Sequence, residues 1–166
     1  MKVLLLENIS AVAVEVFRDA GYDVESLKEA LDERQLVEKA HGVSILGVRS
    51  KTQVAAEVIR QGINMTIYVE GKRSFDGKLL PFKKGPFYLA MECNVPVIPI
   101  TISGSHYVMP KRRFAIKPGL VQVIFHDPIQ PKDFGSREAL MEKVRAAIDS
   151  GLPAELQEKP NHVRQV

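Results

Sequence analysis

A single cysteine, Cys93, stands in a chain of 166 residues. That excludes a disulfide framework and any cysteine-based zinc site within one chain, and it favours a reducing compartment. Its apolar neighbours make Cys93 a small buried hydrophobe rather than a nucleophile. No apolar stretch approaches the roughly 20 residues needed to cross a bilayer. The opening MKVLLLENIS has one positive charge and too short an apolar run for a secretory signal. No GxGxxG occurs, and GKRS at Gly71–Ser74 is not a P-loop, because the upstream glycine spacing and a Ser or Thr directly after the lysine are both lacking. No His, Cys and carboxylate cluster has metal-ligand spacing, and no nucleophile–base–acid arrangement is visible. The expectation is a cytoplasmic protein, soluble or at most attached to a membrane surface, with no metal and no cofactor.

Charged residues make up 26% of the chain and hydrophobic residues 45%, ordinary proportions for a soluble domain. The net charge of +3 is uneven: residues 1–61 hold 8 Lys/Arg against 10 Asp/Glu, and residues 62–166 hold 15 against 10. Such a shift within one chain can mark two halves of different history.

The stretch from Ile67 to Phe87 carries the densest chemistry. The apolar run Ile67-Tyr68-Val69 ends in Glu70-Gly71-Lys72-Arg73-Ser74, a turn follows at Asp76-Gly77, and Lys78, Lys83 and Lys84 lead to a helix start at Gly85-Pro86. A strand that delivers a carboxylate, a glycine and two cations to the end of a sheet is a reasonable phosphate holder; a solvated charged loop explains the same residues equally well. Lys111-Arg112-Arg113 is basic enough to meet anionic lipid or nucleic acid, although three charges usually mean a solvated turn. His106 and His126 read as loop residues rather than catalysts.

Along the chain, Lys2–Glu7 reads as a buried strand, and Ser10 caps a helix whose inward residues are Ala13, Val16, Phe17 and Ala20. A strand at Tyr22–Ser26 follows. Asp32 with Gln35 forms a capping box for a helix to Ala40. A third strand spans Val43–Val48, and Thr52 caps a helix from Gln53 to Gln61. Met65–Glu70 is expected as a fourth strand, Pro86–Glu92 as a helix, Val95–Ile102 and Leu120–His126 as the fifth and sixth strands. Ser136 caps the last helix. The alternation implies an α/β fold: a three-layer sandwich with a mainly parallel sheet of about six strands and helices on both faces. Ligands gather at the carboxyl ends of such strands, where Arg49-Ser50 and Glu70–Ser74 both fall. The expected organisation is one domain over residues 1–156, built of segments 1–61 and 62–156, with a frayed tail at 157–166.

Two resemblances meet in this chain. KVLLLENIS, AGYDVE, ALDERQL and ILGVRSKTQVAAEVI resemble the N-terminal part of D-3-phosphoglycerate dehydrogenases. That likeness implies a substrate-binding role for Arg49 and Ser50, but without the GxGxxG loop hydride transfer is not expected. From about Gly62 to Leu152, YVEGKRSFDGKLLPFKKGPFYLAMECNVPVIPITISGSHYVMPK resembles the C-terminal half of 1-acyl-glycerol-3-phosphate acyltransferases. There the usual Pro-Glu-Gly-Thr-Arg binds glycerol phosphate. Here Val69 stands for the proline and Lys72 for the threonine, while Glu70, Gly71 and Arg73 are kept. The family's catalytic pair is a His with an Asp five positions on, because a neutral imidazole must take the acceptor's proton and a carboxylate must orient it. His41 is followed at that spacing by Leu46, His106 by Lys111 and His126 by Pro131, and His162 lies too near the end.

The sequence therefore reads as a recombined or engineered α/β chimera, its seam near Ala56–Gly62, with no catalytic residues and no intact enzymatic activity. The candidate phosphate-binding set is Glu70, Gly71, Lys72, Arg73 and Ser74, with Arg49 and Ser50. The alternatives are a 1-acyl-glycerol-3-phosphate acyltransferase of phospholipid biosynthesis and a regulatory module for an anionic metabolite. Phosphate and glycerol phosphate are the candidate ligands and no specific nucleic acid is expected. Peripheral membrane contact and homo-oligomers through exposed sheet edges are compatible with the sequence.

Overall fold

The apolar run at the N-terminus forms strand β1, Lys2–Leu5, in a computed structural model that describes residues 1–48, 51–110 and 116–158. Its side chains are buried on both sides, as a central parallel strand requires. The chain divides into two units, Met1–Ile67 and Tyr68–Val166, and the architecture within each is α/β.

In the first unit, β1 lies between β2 (Asp23–Ser26) and β3 (Val43–Gly47), and both pairings are parallel. Val3 and Leu5 point to one face and pack with Val24 under Val14 and Phe17 of α1 (Ala11–Asp19). Leu4 and Leu6 point to the other face, against Leu36 and Ala40 at α2 (Glu33–Lys39) and Val58 of α3 (Ala56–Arg60). Ser10 caps α1, accepting from the Val12 N–H. The Asp32–Gln35 capping box is complete, with Gln35 N to Asp32 Oδ1 at 2.8 Å and Asp32 N to Gln35 Oε1 at 3.2 Å.

Two local expectations are corrected here. Val16 is exposed and Val14 takes its place in the core, because α1 turns the 14/17 stripe rather than the 13/16/17/20 stripe inward. Thr52 does not cap α3. That helix starts after Ala55 without a side-chain cap, and the Thr52 hydroxyl is buried with no hydrogen-bond partner. Its backbone N–H donates instead to Glu7 Oε1 at 2.7 Å. Glu7 holds φ +60 and its carboxylate also accepts from the Lys51 N–H. The loop after β3 is thus tied by a carboxylate at the end of β1 before a helix can begin.

The expected sheet of about six strands is not formed. The described strands are the three of the first unit and an antiparallel pair, β4 (Ile100–Ser103) and β5 (Gln122–Phe125), in the second. The segment Met65–Glu70 is not a strand; pairing beyond β3 ends with one isolated parallel bridge from Ile45 to Asn64. The β4–β5 pair is antiparallel, with Ile100 opposite Phe125 and Ser103 opposite Gln122. Gly104, which follows β4, holds φ +83, and the Leu120 carbonyl comes within 2.2 Å of where a Cβ on Gly104 would sit. Pro96 and Pro99 lack amide donors, so the fifth strand begins only at Ile100, preceded by a single bridge from Val97 to Ile129.

The second core is built by α4 (Gly85–Cys93) and α6 (Arg137–Ser150): Phe87 and Ala90 against Leu140 and Val144, ringed by Val69, Phe82, Val97, Ile129 and Phe134. Ser136 caps α6 through the Ala139 N–H. Phe82 and Phe87 stack with ring centroids 6.2 Å apart.

Candidate anion site at residues 69–83

The apolar run that was expected to be a strand serves as an anchor. Val69 sits at the second core, and its carbonyl accepts the Lys83 N–H at 2.7 Å. The Gly71 N–H returns to the Tyr68 carbonyl at 2.9 Å, and Gly71 holds φ +68, a left-handed conformation that disfavours any side chain. The stem of Lys83 lies over Gly71, 3.4 Å from where a Cβ would be.

The five consecutive residues read as the anion set occupy this one turn, and they divide into two kinds. Glu70 and Ser74 are engaged with the backbone: Glu70 Oε2 accepts the Leu80 N–H at 2.7 Å, and Ser74 Oγ accepts the Gly77 N–H at 2.8 Å. They shape the loop. Lys72 and Arg73 are exposed. Arg73 donates from Nη1 to the Met109 carbonyl at 3.3 Å, so one of five N–H donors of its guanidinium fork is used there. Arg49 and Ser50 lie outside the described residues.

A second layer fixes the loop from behind. Arg145 of α6 reaches across with Nη1 to the Leu80 carbonyl at 2.8 Å and Nη2 to the Leu79 carbonyl at 3.4 Å. Its guanidinium lies 4.8 Å from the Phe82 ring centroid and pairs with Glu158. The Glu158 hydrogen bond is the main cause holding the Arg145 pKa above its ordinary value, with a smaller contribution from the Glu70 charge. The same bond holds the Glu158 carboxyl below the usual carboxylate range. Arg145 escaped the reading of the sequence. Its signal was present, since 141, 144, 145 and 148 share one helical face and the other three side chains on it are apolar.

The histidines make no catalytic pair with a carboxylate in the hydrogen bonds described. His106 lies against Gly77, where a Cβ would be 2.5 Å from its Cε1. His126 Nε2 is 2.8 Å from the buried Thr101 Oγ1, which itself donates to the Ile148 carbonyl at 2.7 Å. The hydroxyl proton being committed, the imidazole Nε2 is the donor. Among the described residues no group of three or more His, Cys, Asp or Glu is placed to hold a metal ion. None of their helices is long and apolar enough to cross a membrane.

Two family models match the chain. The model described as acyltransferase matches residues 43–103, and that described as D-isomer specific 2-hydroxyacid dehydrogenase, catalytic domain, matches residues 3–68. The chain is 32% identical over 87 residues to a 1-acyl-sn-glycerol-3-phosphate acyltransferase of Cocos nucifera, a match covering 52% of this chain and 28% of that one. It is 42% identical over 65 residues to D-3-phosphoglycerate dehydrogenase 2 of Saccharomyces cerevisiae, covering 39% of this chain and 14% of that one. Among solved structures, the 1-acyl-sn-glycerophosphate acyltransferase PlsC from Thermotoga maritima superposes with TM-score 0.59 at 28% identity, over 90% of this chain and 54% of that chain. The matched stretches thus span about a third or less of the length of these two sequence relatives. The opening segment is similar to the N-terminus of phosphoglycerate dehydrogenases and the remainder to acyltransferases, with both family models matching residues 43–68.

Proposed function

We propose that the second unit is an acyltransferase-like anion-binding module without an intact acyl-transfer centre, and that it binds phosphate or glycerol phosphate weakly at Glu70–Ser74. The observation that carries this reading is the division of labour in that turn. Glu70 and Ser74 spend their acceptors on backbone N–H groups, Gly71 supplies the left-handed turn, and Lys72 and Arg73 are left facing solvent as the cationic pair. Acyltransferase similarity over residues 43–103 supports the ligand class. The lack of any His with an Asp five positions on supports the absence of a general base.

The test is an amide-resolved NMR titration with glycerol 3-phosphate and with inorganic phosphate. Shifts centred on Gly71–Ser74, abolished by Lys72→Ala with Arg73→Ala, are expected. Silence at those amides at millimolar ligand rejects the reading. Because the acyltransferase match is long, full transfer to a lysophosphatidic acid acceptor is the competing reading. It requires acceptor-dependent release of free thiol from an acyl thioester, and turnover above the buffer rate would replace our conclusion with that one.

A further inference from the structure

We propose that the unpaired edge of β4 joins two copies of this chain, strand β4 pairing with its own copy in antiparallel register about Thr101. The anion turn takes no part in this contact, so it stands apart from ligand binding at Glu70–Ser74.

An edge strand offers its unpaired N–H and C=O groups to any second strand, and folded chains blunt such edges with charge or cover. Three of the described edges are treated in this way. β2 carries Asp23 and Glu25, and Glu25 is bridged to Lys2 and Lys39. The outer side of β3 is occupied at Asn64, whose backbone N–H donates to the Ser44 carbonyl at 3.1 Å. β5 runs into the exposed charge of Asp127. β4 has no such device. No Asp, Glu, Lys or Arg occurs from Cys93 to Pro110, and among the described residues β5 is the one strand paired with β4.

The pattern of bonds identifies the free groups. The Pro99 carbonyl accepts the His126 N–H at 3.0 Å, so Pro99, Thr101 and Ser103 turn their backbone groups toward β5. Alternation leaves those of Ile100 and Ile102 on the open edge. Pro99, which has no amide proton, falls on the paired side, and the open side keeps its donors.

The residues of this edge make it fit itself. Ile100-Thr101-Ile102 reads the same in both directions. A two-fold axis at Thr101 sets Ile100 opposite Ile102 of the second copy and Ile102 opposite its Ile100, each pair exchanging N–H···O bonds. These side chains share one face, on which Ile100 already stands opposite Phe125 and Ile102 opposite Val123. Phe125, Val123 and Ile102 are 70%, 48% and 41% exposed there. Joining the edges places isoleucine beside isoleucine on that face and brings no like charges together. A foreign extended peptide could bond the same backbone groups, but it would lack the match of isoleucine to isoleucine on both sides of Thr101. A two-fold contact closes at two copies, so the product is a dimer and not a fibre.

Sedimentation velocity of the full chain from micromolar to millimolar concentration tests this, with amide hydrogen exchange recorded over the same range. A dimer of the 18.5 kDa chain is expected to form by mass action, with protection rising at the Ile100 and Ile102 amides and not at those of Val123 and Phe125. Ile102→Lys should weaken it by about tenfold with an unchanged melting curve. Ile98→Lys, at a more exposed position farther from the axis, should weaken it by about threefold and reads the same edge if the first variant fails to fold. Phe125→Ser changes the same face on the other strand and should weaken it by less than about twofold, which separates pairing by edge from packing by face. The proposal is overturned by a chain that stays monomeric throughout, by growth beyond the dimer, by protection centred on β5, by lysine variants that dimerise like the parent, or by loss of the dimer in Phe125→Ser.

Discussion

Replacing Arg145 tests whether the anion turn is held from behind. In Arg145→Ala the Leu80 carbonyl loses a 2.8 Å charge-assisted donor, a contact of a kind that contributes about 1.5–3 kcal/mol. The Leu79 contact, at 3.4 Å, is near the limit and adds little. The cation over Phe82 contributes about 0.5–1 kcal/mol. The pair with Glu158 contributes about 0–1 kcal/mol, because that carboxylate is half exposed and screened. These terms share one side chain and do not add fully, so the expected loss is about 2–3 kcal/mol. Urea unfolding followed by far-UV circular dichroism measures it. Hydrogen exchange at the Leu80 and Lys83 amides locates it, since those N–H groups bond to Glu70 and Val69.

Two companion variants separate the causes. Glu158→Gln should cost no more than about 1 kcal/mol. Arg145→Lys keeps the charge but not the fork, and should fall between the parent and the alanine variant. The Glu158 pKa is depressed in the folded state. Its contribution is therefore present above the ordinary carboxylate pKa and is lost as pH falls through the folded value. A loss in Arg145→Ala below about 0.5 kcal/mol, the size of an ordinary surface change, refutes the reasoning. A Glu158→Gln loss equal to that of Arg145→Ala also refutes it, because the ion pair rather than the carbonyl contacts would then hold the turn.

Further outcomes follow from the packing. Gly151→Ala should cost about 1–3 kcal/mol in the same urea assay, because its new Cβ would lie 2.6 Å from the buried Thr101 Oγ1; Gly135→Ala, with nothing within 4 Å, is the control. Phe87→Ala, at the centre of the second core, should cost about 3–5 kcal/mol and Leu36→Ala in the first about 2–5, read as lowered unfolding midpoints. Glu25 has its pKa lowered chiefly by the Lys39 hydrogen bond and then by Lys2. The stability it brings is present above the ordinary carboxylate value and disappears as pH drops through the depressed one, so Glu25→Gln should flatten the acid limb of a melting-temperature profile.

Local signals were legible where the chain itself supplies the partner. Ser10, the Asp32–Gln35 box and Ser136 all cap as their spacing implies, because donor and acceptor lie within three residues of each other. The Thr52 cap failed for the opposite reason. Its amide is claimed by Glu7, 45 residues away in sequence, and no short window contains that competitor. The sheet fared likewise. Apolar runs located β1, β3, β4 and β5, but a run states only that side chains are buried, not which strand it pairs with. Met65–Glu70 thus resembled a strand and has no ladder, and β4 and β5 pair antiparallel where a parallel sheet was expected. In the candidate site the residue types were visible and their roles were not. Glu70 stood out as a ligand-facing carboxylate, yet it is occupied by the Leu80 N–H.

That occupation bears on the seam. The stretch matched by both family models, residues 43–68, holds β3 and α3. A strand–helix unit can pass from one segment to the other without breaking the alternation of elements. Pairing along the first sheet stops at the Ile45–Asn64 bridge, and the division between units falls just beyond, at Ile67 and Tyr68. From Tyr68 onward each hydrogen bond described for the anion turn is made with a residue of the second unit: Tyr68 to Gly71, Val69 to Lys83, Glu70 to Leu80, Arg73 to Met109. The turn is therefore fastened by residues on its own side of the seam. A change at Arg145, far along the chain, reaches the turn through the Leu80 carbonyl.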